Sequence, residues 1–144
     1  MSPQRTFEAF IEQVWNAHRP DRIGEFVHPQ VRMHAARGPI RDFAGYQAMT
    51  KDFQGAFSDL HFALEHVGEA GDMVFARLLI TGTNDGPFRG KAPTGKRVRA
   101  IGQPLCRVVD GKIVEFWQLF DELGMLFQLG HVADASIVGA PAPA

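Results

Sequence analysis

The sequence predicts an α+β fold in which helices come first along the chain and an antiparallel, curled sheet follows. Up to Phe57, most apolar residues recur every three or four positions, which is the period of amphipathic helices. From Leu60 onward they alternate with polar residues, which is the period of strands. Asp110-Gly111 then separates two such segments and is typical of a two-residue hairpin turn. Because helices precede strands instead of alternating with them, a parallel βαβ sheet is not expected.

Length and composition indicate one domain. The chain has 144 residues, of which 45% are hydrophobic, and this is enough for one buried core. We expect that domain to span residues 1–132. Residues 133–144 are rich in Ala and Pro and show no apolar period, so they are expected to form a flexible tail.

Charge and composition argue against several classes of partner. The net charge is -1, the sequence pI is near 6.6, and no block of Lys or Arg occurs, so nucleic acid is not an expected partner. No run of about 18 apolar residues could span a membrane, and the N-terminus lacks a signal-type segment. A cytoplasmic protein is therefore expected. The single cysteine, Cys106, excludes an internal disulfide.

The first 57 residues predict three helical segments and one short strand. A first helix ends at Pro20, and a second helical piece runs through Val27 and is expected to end at His28-Pro29. Residues 31–35 alternate and predict a strand, and Asp42 is a candidate N-cap of the third helix. The apolar stripes of the first and third helices comprise Phe7, Phe10, Ile11, Val14 and Trp15, and Phe43, Tyr46, Met49, Phe53 and Phe57.

The rest of the chain predicts two hairpins and a final helical turn. Residues 60–65 pair with residues 73–81, and the Gly/Pro-rich residues 82–95 form a loop too long for a tight turn, of the kind that covers pockets. Residues 98–109 pair with residues 112–120. Pro104 has no N–H for that ladder, so a bulge is expected there.

The sequence lacks the spacing of known metal and cofactor sites. Its six histidines form no HxH pair and no HExxH motif, and there is no nucleophile elbow, P-loop or Rossmann glycine fingerprint. Cys106 lies in a strand pattern without an adjacent His or Asn, so it is interpreted as a small buried residue instead of a nucleophile. We therefore expect neither a metal nor a cofactor.

Asp121 is the most informative candidate, because it interrupts a nearly continuous apolar run between Phe116 and Phe127. If its carboxylate pointed into an apolar cavity, desolvation would raise its pKa toward the range that is useful for a general base. Asp is also a preferred N-cap, so it could instead begin the short helix that follows. Periodicity alone favours the cap, and one carboxylate can serve both roles.

Several further residues are candidates for a binding pocket. His34 could donate a hydrogen bond to a substrate carbonyl, although an isolated His on a strand is more often structural. Trp15 and Trp117 could be walls for a flat ring system, or ordinary core. Strict alternation puts Phe116, Gln118 and Phe120 on one face of their strand and Trp117 and Asp121 on the other. Two further polar or aromatic candidates are Gln103 and Tyr46, the only tyrosine.

Motifs across residues 6–130 resemble those of the SnoaL-like polyketide (ester) cyclases, in order and in spacing. They include Gly86-Pro87-Phe88-Arg89-Gly90, Pro93-Thr94-Gly95-Lys96, Asp110-Gly111-Lys112-Ile113-Val114-Glu115, Trp117, Asp121 and Gln128-Leu129-Gly130. The resemblance implies an NTF2-like cone, in which three N-terminal helices pack on a strongly curved, mostly antiparallel mixed sheet. It also implies a pocket between helices and sheet, and a homodimer formed through the sheet.

The resemblance implies a cofactor-independent cyclase. In that family the aspartate matching Asp121 is the base that removes an acidic proton next to a carbonyl, and the enolate closes a ring by aldol addition. The substrate would be a small apolar or aromatic carbonyl compound. One alternative is a non-catalytic module that binds a small molecule or dimerises. Others are isomerase or epoxide hydrolase chemistry, which lose support because Pro104 occupies the place of the isomerase acid and only Asp121 of the hydrolase set can be placed.

Overall fold

The computed structural model describes residues 1–132, and the predicted tail over residues 133–144 lies outside the described residues. The helices are α1 (Pro3–Phe10), continued by a π-helical segment (Ile11–Asn16), a 3-10 helix (Pro20–Glu25), α2 (Phe43–Ala56) and α3 (Glu122–Gln128). The strands are β1 (Val27–His34), β2 (His61–Ala70), β3 (Met73–Thr83), β4 (Arg97–Gly102), β5 (Leu105–Val109) and β6 (Lys112–Trp117). Three helical segments precede the long hairpin, but the middle one is a short 3-10 helix.

The strands form one mixed sheet in the order β1-β6-β5-β3-β2, with β4 paired to β3 beyond the end of β5. β1 runs parallel to β6, and the other strand pairs of the described region are antiparallel. Asp110 and Gly111 have φ of 50° and 73°, the left-handed pair that a two-residue hairpin requires. The predicted α+β class and the first hairpin are confirmed. The second hairpin is confirmed only between Leu105–Val109 and Lys112–Trp117, because residues 97–102 form a separate strand that pairs with β3.

A side-chain cap fixes the start of α2, and a π-helical segment after α1 provides hydrogen bonds between the two helices. Asp42 Oδ1 accepts the Gly45 N–H at 2.9 Å, which confirms the predicted N-cap of α2. The π-helical segment after α1 leaves carbonyls that do not continue an α-helical pattern, and Gln54 from α2 donates to two of them. Its Nε2 lies 3.0 Å from the Val14 oxygen and 3.2 Å from the Trp15 oxygen. This contact fixes Trp15 against α2.

Strand β1 begins earlier than the sequence predicts. The second helical piece ends at Glu25, so Val27, His28 and Pro29 belong to the strand instead of the helix. Val27 is fully buried and pairs with Ile113. Proline is tolerated because β1 lies at the edge of the sheet and its register with β6 shifts between Val27 and Arg32.

The expected bulge at Pro104 is wrong. Leu78 pairs with Gly102 and Phe75 pairs with Leu105, so both strands advance by the same number of residues and none is inserted. The ladder is interrupted because Pro104 has no N–H to give. The neighbouring Gln103 N–H donates instead to the Leu119 oxygen at 2.8 Å, which extends the pairing beyond β6.

The concave face of the sheet and the helices enclose one aromatic core. Phe7, Phe10, Tyr46 and Phe57 are among the largest side chains that are fully buried there. Cys106 is also fully buried, and burial raises the pKa of its thiol to about 12. A thiol in this setting is protonated at neutral pH, so it is not a nucleophile.

The loop between β3 and β4 is held to the C-terminal end of α2 by Asn84, which is fully buried. Its Nδ2 donates to the Ala56 oxygen at 3.2 Å and to the Gly86 oxygen at 2.9 Å. Its Oδ1 accepts from the backbone N–H of Thr94 at 2.9 Å and from the Thr94 hydroxyl at 3.0 Å. One side chain therefore ties both ends of the loop to a helix.

Candidate active site

Two spaces lie side by side at the open end of the sheet. The inner cavity has a volume of about 40 Å³ and lies between the helices and the sheet. The outer groove has a volume of about 1240 Å³ and is open to solvent. Its walls are the connection from β1 to α2, one side of α2, residues 87–90 and residues 118–123. Gln118, Leu119 and Phe120 border both spaces, so the two spaces adjoin at these residues.

Three phenylalanines pack together beneath the outer groove, where Phe53 and Phe88 are buried and Phe120 is partly exposed. The ring centroids of Phe53 and Phe88 are 5.5 Å apart, and those of Phe53 and Phe120 are 5.7 Å apart, both in edge-to-face geometry. Such contacts stabilise a fixed arrangement of rings. Leu119 and Leu123 are 58% and 39% exposed at the same groove, which adds apolar surface at its mouth. The groove is therefore suited to a flat, apolar ligand.

Asp121 is exposed at the edge of the outer groove, where it is the N-cap of α3. Its Oδ1 accepts the Gly124 N–H at 2.9 Å, and its own N–H donates to the Ile101 oxygen at 2.9 Å. Within residues 1–132, no group donates a hydrogen bond to Oδ2. The capping role is confirmed.

Charged side chains lie around the packed phenylalanines. Arg37, Arg41 and Lys51 line the groove, and Arg89 forms an ion pair with Glu122. That pair joins the loop after β3 to the first turn of α3, next to Asp121. Asp52, Asp121 and Glu122 also line it, so the groove combines an apolar floor with a rim of mixed charge.

Trp15, Tyr46 and Gln118 line the inner cavity, as do their apolar neighbours. Trp15 is 4% exposed and stacks on Phe62 with ring centroids 4.7 Å apart. Gln118 and Phe120 share the inner face of the sheet end with Phe116, as the alternation predicts. Asp121 comes next to them because the chain turns there into α3.

The structure does not bring His34, Trp117 and Gln103 to either space. Alternation along β1 and β6 points Met33 and Phe116 inward, so His34 and Trp117 lie on the opposite face of the sheet. There the His34 Nε2 lies 2.7 Å from Glu115 Oε2, and the His34 ring stacks on Trp117 at 5.2 Å. Gln103 is exposed, while its neighbours on both sides line the inner cavity. A substrate in either space would not contact these three side chains.

Sequence reasoning missed the packed phenylalanines beneath the groove. The sequence indicates Phe53 only as part of a helical stripe, and Phe88 only as part of a loop and of the family motif Gly86-Pro87-Phe88-Arg89-Gly90. The three rings meet because Asn84 holds the loop against α2, and no local pattern encodes that contact. The length of the loop was the one available signal.

Within residues 1–132, no group of three or more His, Cys, Asp or Glu side chains is arranged to hold a metal ion. None of the helices in this part of the chain is both long enough and apolar enough to cross a membrane.

Comparison with known proteins identifies relatives across nearly the whole chain. The chain is 32% identical over 140 residues to aklanonic acid methyl ester cyclase DauD of Streptomyces sp. (strain C5). The matched region covers 91% of this chain and 84% of that protein. It is 32% identical over 139 residues to aklanonic acid methyl ester cyclase AcmA of Streptomyces galilaeus, covering 91% and 93%. It is 27% identical over 124 residues to nogalonic acid methyl ester cyclase of Streptomyces nogalater, covering 81% and 89%.

A solved structure also resembles this chain over nearly its whole length. IdmH of Streptomyces antibioticus, a candidate polyketide cyclase, superposes with a TM-score of 0.80 at 28% identity, covering 90% of this chain and 99% of that chain. The NTF2-like fold implied by the sequence resemblance is therefore confirmed. The family model for SnoaL-like polyketide cyclase matches residues 5–129. The chain belongs to the SnoaL-like polyketide cyclase family.

Proposed function

We propose that this protein closes a ring in the methyl ester of an aromatic polyketide acid, by cofactor-independent aldol chemistry in the outer groove. The observation that carries the proposal is the position of Asp121. One carboxylate oxygen is held by the Gly124 N–H, and the other faces no donor of the described chain, at the edge of a ligand-sized aromatic groove. A base needs such a fixed and unoccupied oxygen.

The proposed reaction needs only the substrate and one carboxylate. Asp121 Oδ2 takes the proton from a carbon flanked by two carbonyl groups, and the C–H bonding electrons become an enolate. The enolate carbon attacks a ketone carbon of the same molecule, and a C–C bond forms. The ketone oxygen then receives the proton from Asp121, so the product is an isomer of the substrate. The two carbonyl groups stabilise the carbanion, which removes the need for a metal or flavin.

The lining of the groove supports a flat substrate with several rings. Its volume of about 1240 Å³ is above the usual range for drug-sized ligands. Phe120, Leu119 and Leu123 offer apolar surface above the packed rings of Phe53 and Phe88, and Arg37, Arg41 and Lys51 offer donors to ketone and phenol oxygens. We assign Trp15, Tyr46 and Gln118 to the inner end of the substrate site, and assign no contact with substrate to His34, Trp117 or Gln103.

The proposal is tested with the substrates named for the relatives. Purified protein is incubated with aklanonic acid methyl ester and, separately, nogalonic acid methyl ester, and products are separated by chromatography with mass detection. The expected result is a new peak of unchanged mass from at least one ester. If neither ester and no related β-keto ester is converted by folded protein, the cyclase proposal is wrong.

Gly124→Ala is expected to lower ring closure at least tenfold without unfolding the protein. A Cβ at Gly124 would lie 2.2 Å from Asp121 Oδ2, so the carboxylate must leave its position. Losing the cap costs about 1 kcal/mol, and alanine in a helix gains about as much over glycine. Thermal denaturation and turnover measure the two effects. Gly24→Ala is the control, because the nearest atom to its Cβ would be at 3.7 Å.

A second candidate function is a non-catalytic module that binds a small molecule or dimerises. Two observations favour it: the inner cavity is only about 40 Å³, and Asp121 caps a helix. Such a module would bind polyketide esters in the groove, release them unchanged, and bind them equally well after Asp121→Asn. Turnover by the wild type separates it from the cyclase.

We also propose that the protein forms a homodimer through the convex face of the sheet. Phe75, Leu105 and Val109 are 52%, 37% and 41% exposed there, and Phe75 pairs directly with Leu105. Phe75→Arg is expected to convert a dimer into a monomer in light scattering after size exclusion. Ala17→Arg adds the same charge to an exposed site on the helical side and should leave the dimer intact. A monomeric wild type would contradict the proposal.

A further inference from the structure

The hydroxyl of Tyr46 has no hydrogen-bond partner within residues 1–132, although the residue is fully buried. A buried hydroxyl without a partner is destabilising, and native proteins rarely retain one unless water, an ion or a ligand satisfies it. Because Tyr46 lies on α2 in the middle of the core, bulk water does not reach it. Its hydroxyl is therefore a candidate for contact with a bound molecule.

The surroundings hold this hydroxyl in place and keep it protonated. The Tyr46 ring packs between Phe10, at 6.3 Å, and Phe116, at 5.6 Å between ring centroids. Burial raises the pKa of Tyr46, and the Trp15 indole N–H, which is close to the hydroxyl oxygen but outside hydrogen-bond geometry, opposes that rise only in part. An indole N–H can only donate, so Trp15 offers no acceptor for the hydroxyl proton. Tyr46 is therefore neutral at physiological pH, and its hydroxyl proton is available to donate.

Tyr46 borders the inner cavity, whose volume of about 40 Å³ can hold a water or a carbonyl group but not a ring system. The other residues around it are apolar, apart from Gln118. Gln118, Leu119 and Phe120 line both this cavity and the outer groove, so the two spaces adjoin there. A ring system in the groove can therefore present one oxygen to the cavity at this junction.

We infer that the inner cavity receives one carbonyl oxygen of the substrate and that the Tyr46 hydroxyl donates a hydrogen bond to it. This inference rests on the proposed function, because it assigns the cavity to the same substrate. When Asp121 removes the proton, negative charge moves onto that oxygen as the enolate forms. A fixed donor binds the charged oxygen more tightly than the neutral one, so it lowers the barrier as well as binding the substrate.

The test uses two probes that differ by one oxygen: methyl 3-(naphthalen-2-yl)-3-oxopropanoate and methyl 3-(naphthalen-2-yl)propanoate. Titration calorimetry gives the affinity of both probes for wild type, Tyr46→Phe and Asp121→Asn. Wild type and Asp121→Asn are expected to prefer the keto probe by about tenfold, the worth of one good hydrogen bond. Tyr46→Phe is expected to lose that preference and to bind the second probe as wild type does.

Two further readouts separate a donor from a structural residue. Tyr46→Phe should melt no lower than wild type, because it removes a hydroxyl without a partner, and should lower kcat more than it raises KM. An unchanged preference for the keto probe, no binding of either probe, or a clear fall in melting temperature would each overturn the inference. If the preference vanishes in Tyr46→Phe while Asp121→Asn keeps full turnover, the Tyr46 site stands and the proposed role of Asp121 fails.

Discussion

Asp121→Asn is expected to lower the rate of ring closure by about 10³-fold while leaving the fold and the substrate affinity nearly unchanged. An amide cannot take the proton from carbon, so the base is lost. The amide oxygen can still accept the Gly124 N–H that Asp121 Oδ1 accepts now, and Asn is as good an N-cap as Asp. Turnover of the polyketide esters, affinity by calorimetry and thermal denaturation measure the three quantities.

Asp42→Asn is the matched control for this substitution. Asp42 is also an N-cap, accepting the Gly45 N–H at 2.9 Å, and it is outside the groove lining. It should therefore keep near wild-type turnover. A fall of less than about tenfold in Asp121→Asn would show that proton removal does not depend on this carboxylate.

Asn84→Ala is expected to destabilise the protein by about 3 kcal/mol, because it leaves several buried groups without partners. The Gly86 carbonyl would lose its donor, and the backbone N–H and hydroxyl of Thr94 would lose their acceptor. The Ala56 carbonyl would keep only the backbone N–H groups of Asp85 and Gly86. For a domain of this size the melting temperature should fall by roughly 6–12 °C. The loop that carries Phe88 would also loosen, so affinity for aromatic esters should fall.

Asp85→Ala is the control for the loop. Asp85 accepts hydrogen bonds from the Ser58 backbone N–H and hydroxyl, but these groups are exposed and can bind water instead. Its effect on stability should stay below about 1 kcal/mol. Equal losses in the two variants would mean that Asn84 does not anchor the loop as its hydrogen bonds indicate.

Much of the fold follows from the sequence because strong local signals decide it. The helical stripe from Phe7 to Trp15, the Asp42 cap and the Asp110-Gly111 turn each specify their element without distant contacts. The start of β1 could not be predicted, because Val27 joins the strand through its buried pairing with Ile113. Pro29 is tolerated in the strand because β1 lies at the edge of the sheet. Propensity alone favours ending a helix there.

The candidate site could be predicted only in part. Asp121 was found from an interrupted apolar run, and the structure gives it a cap and a place in the groove. His34 and Trp117 were reasonable candidates by residue type, yet alternation from the buried Met33 and Phe116 turns them to the other face. The groove itself depends on how the loop after β3 meets α2. That contact joins segments about 30 residues apart, as in the hydrogen bond from Asn84 to Ala56, and has no local signature.

Deuterium exchange tests the central claim most directly, because it follows the proposed proton transfer without requiring the natural substrate. Methyl 3-(naphthalen-2-yl)-3-oxopropanoate is placed in D₂O, and loss of the proton signal between its two carbonyls is followed by NMR with wild type, Asp121→Asn and buffer alone. The account predicts exchange with wild type well above the buffer rate, and exchange at the buffer rate with Asp121→Asn, although both proteins bind the probe. Equal exchange in both proteins would contradict the role of Asp121 as the base. If wild type binds the probe without exchange above the buffer rate, the protein is a non-catalytic ligand-binding module.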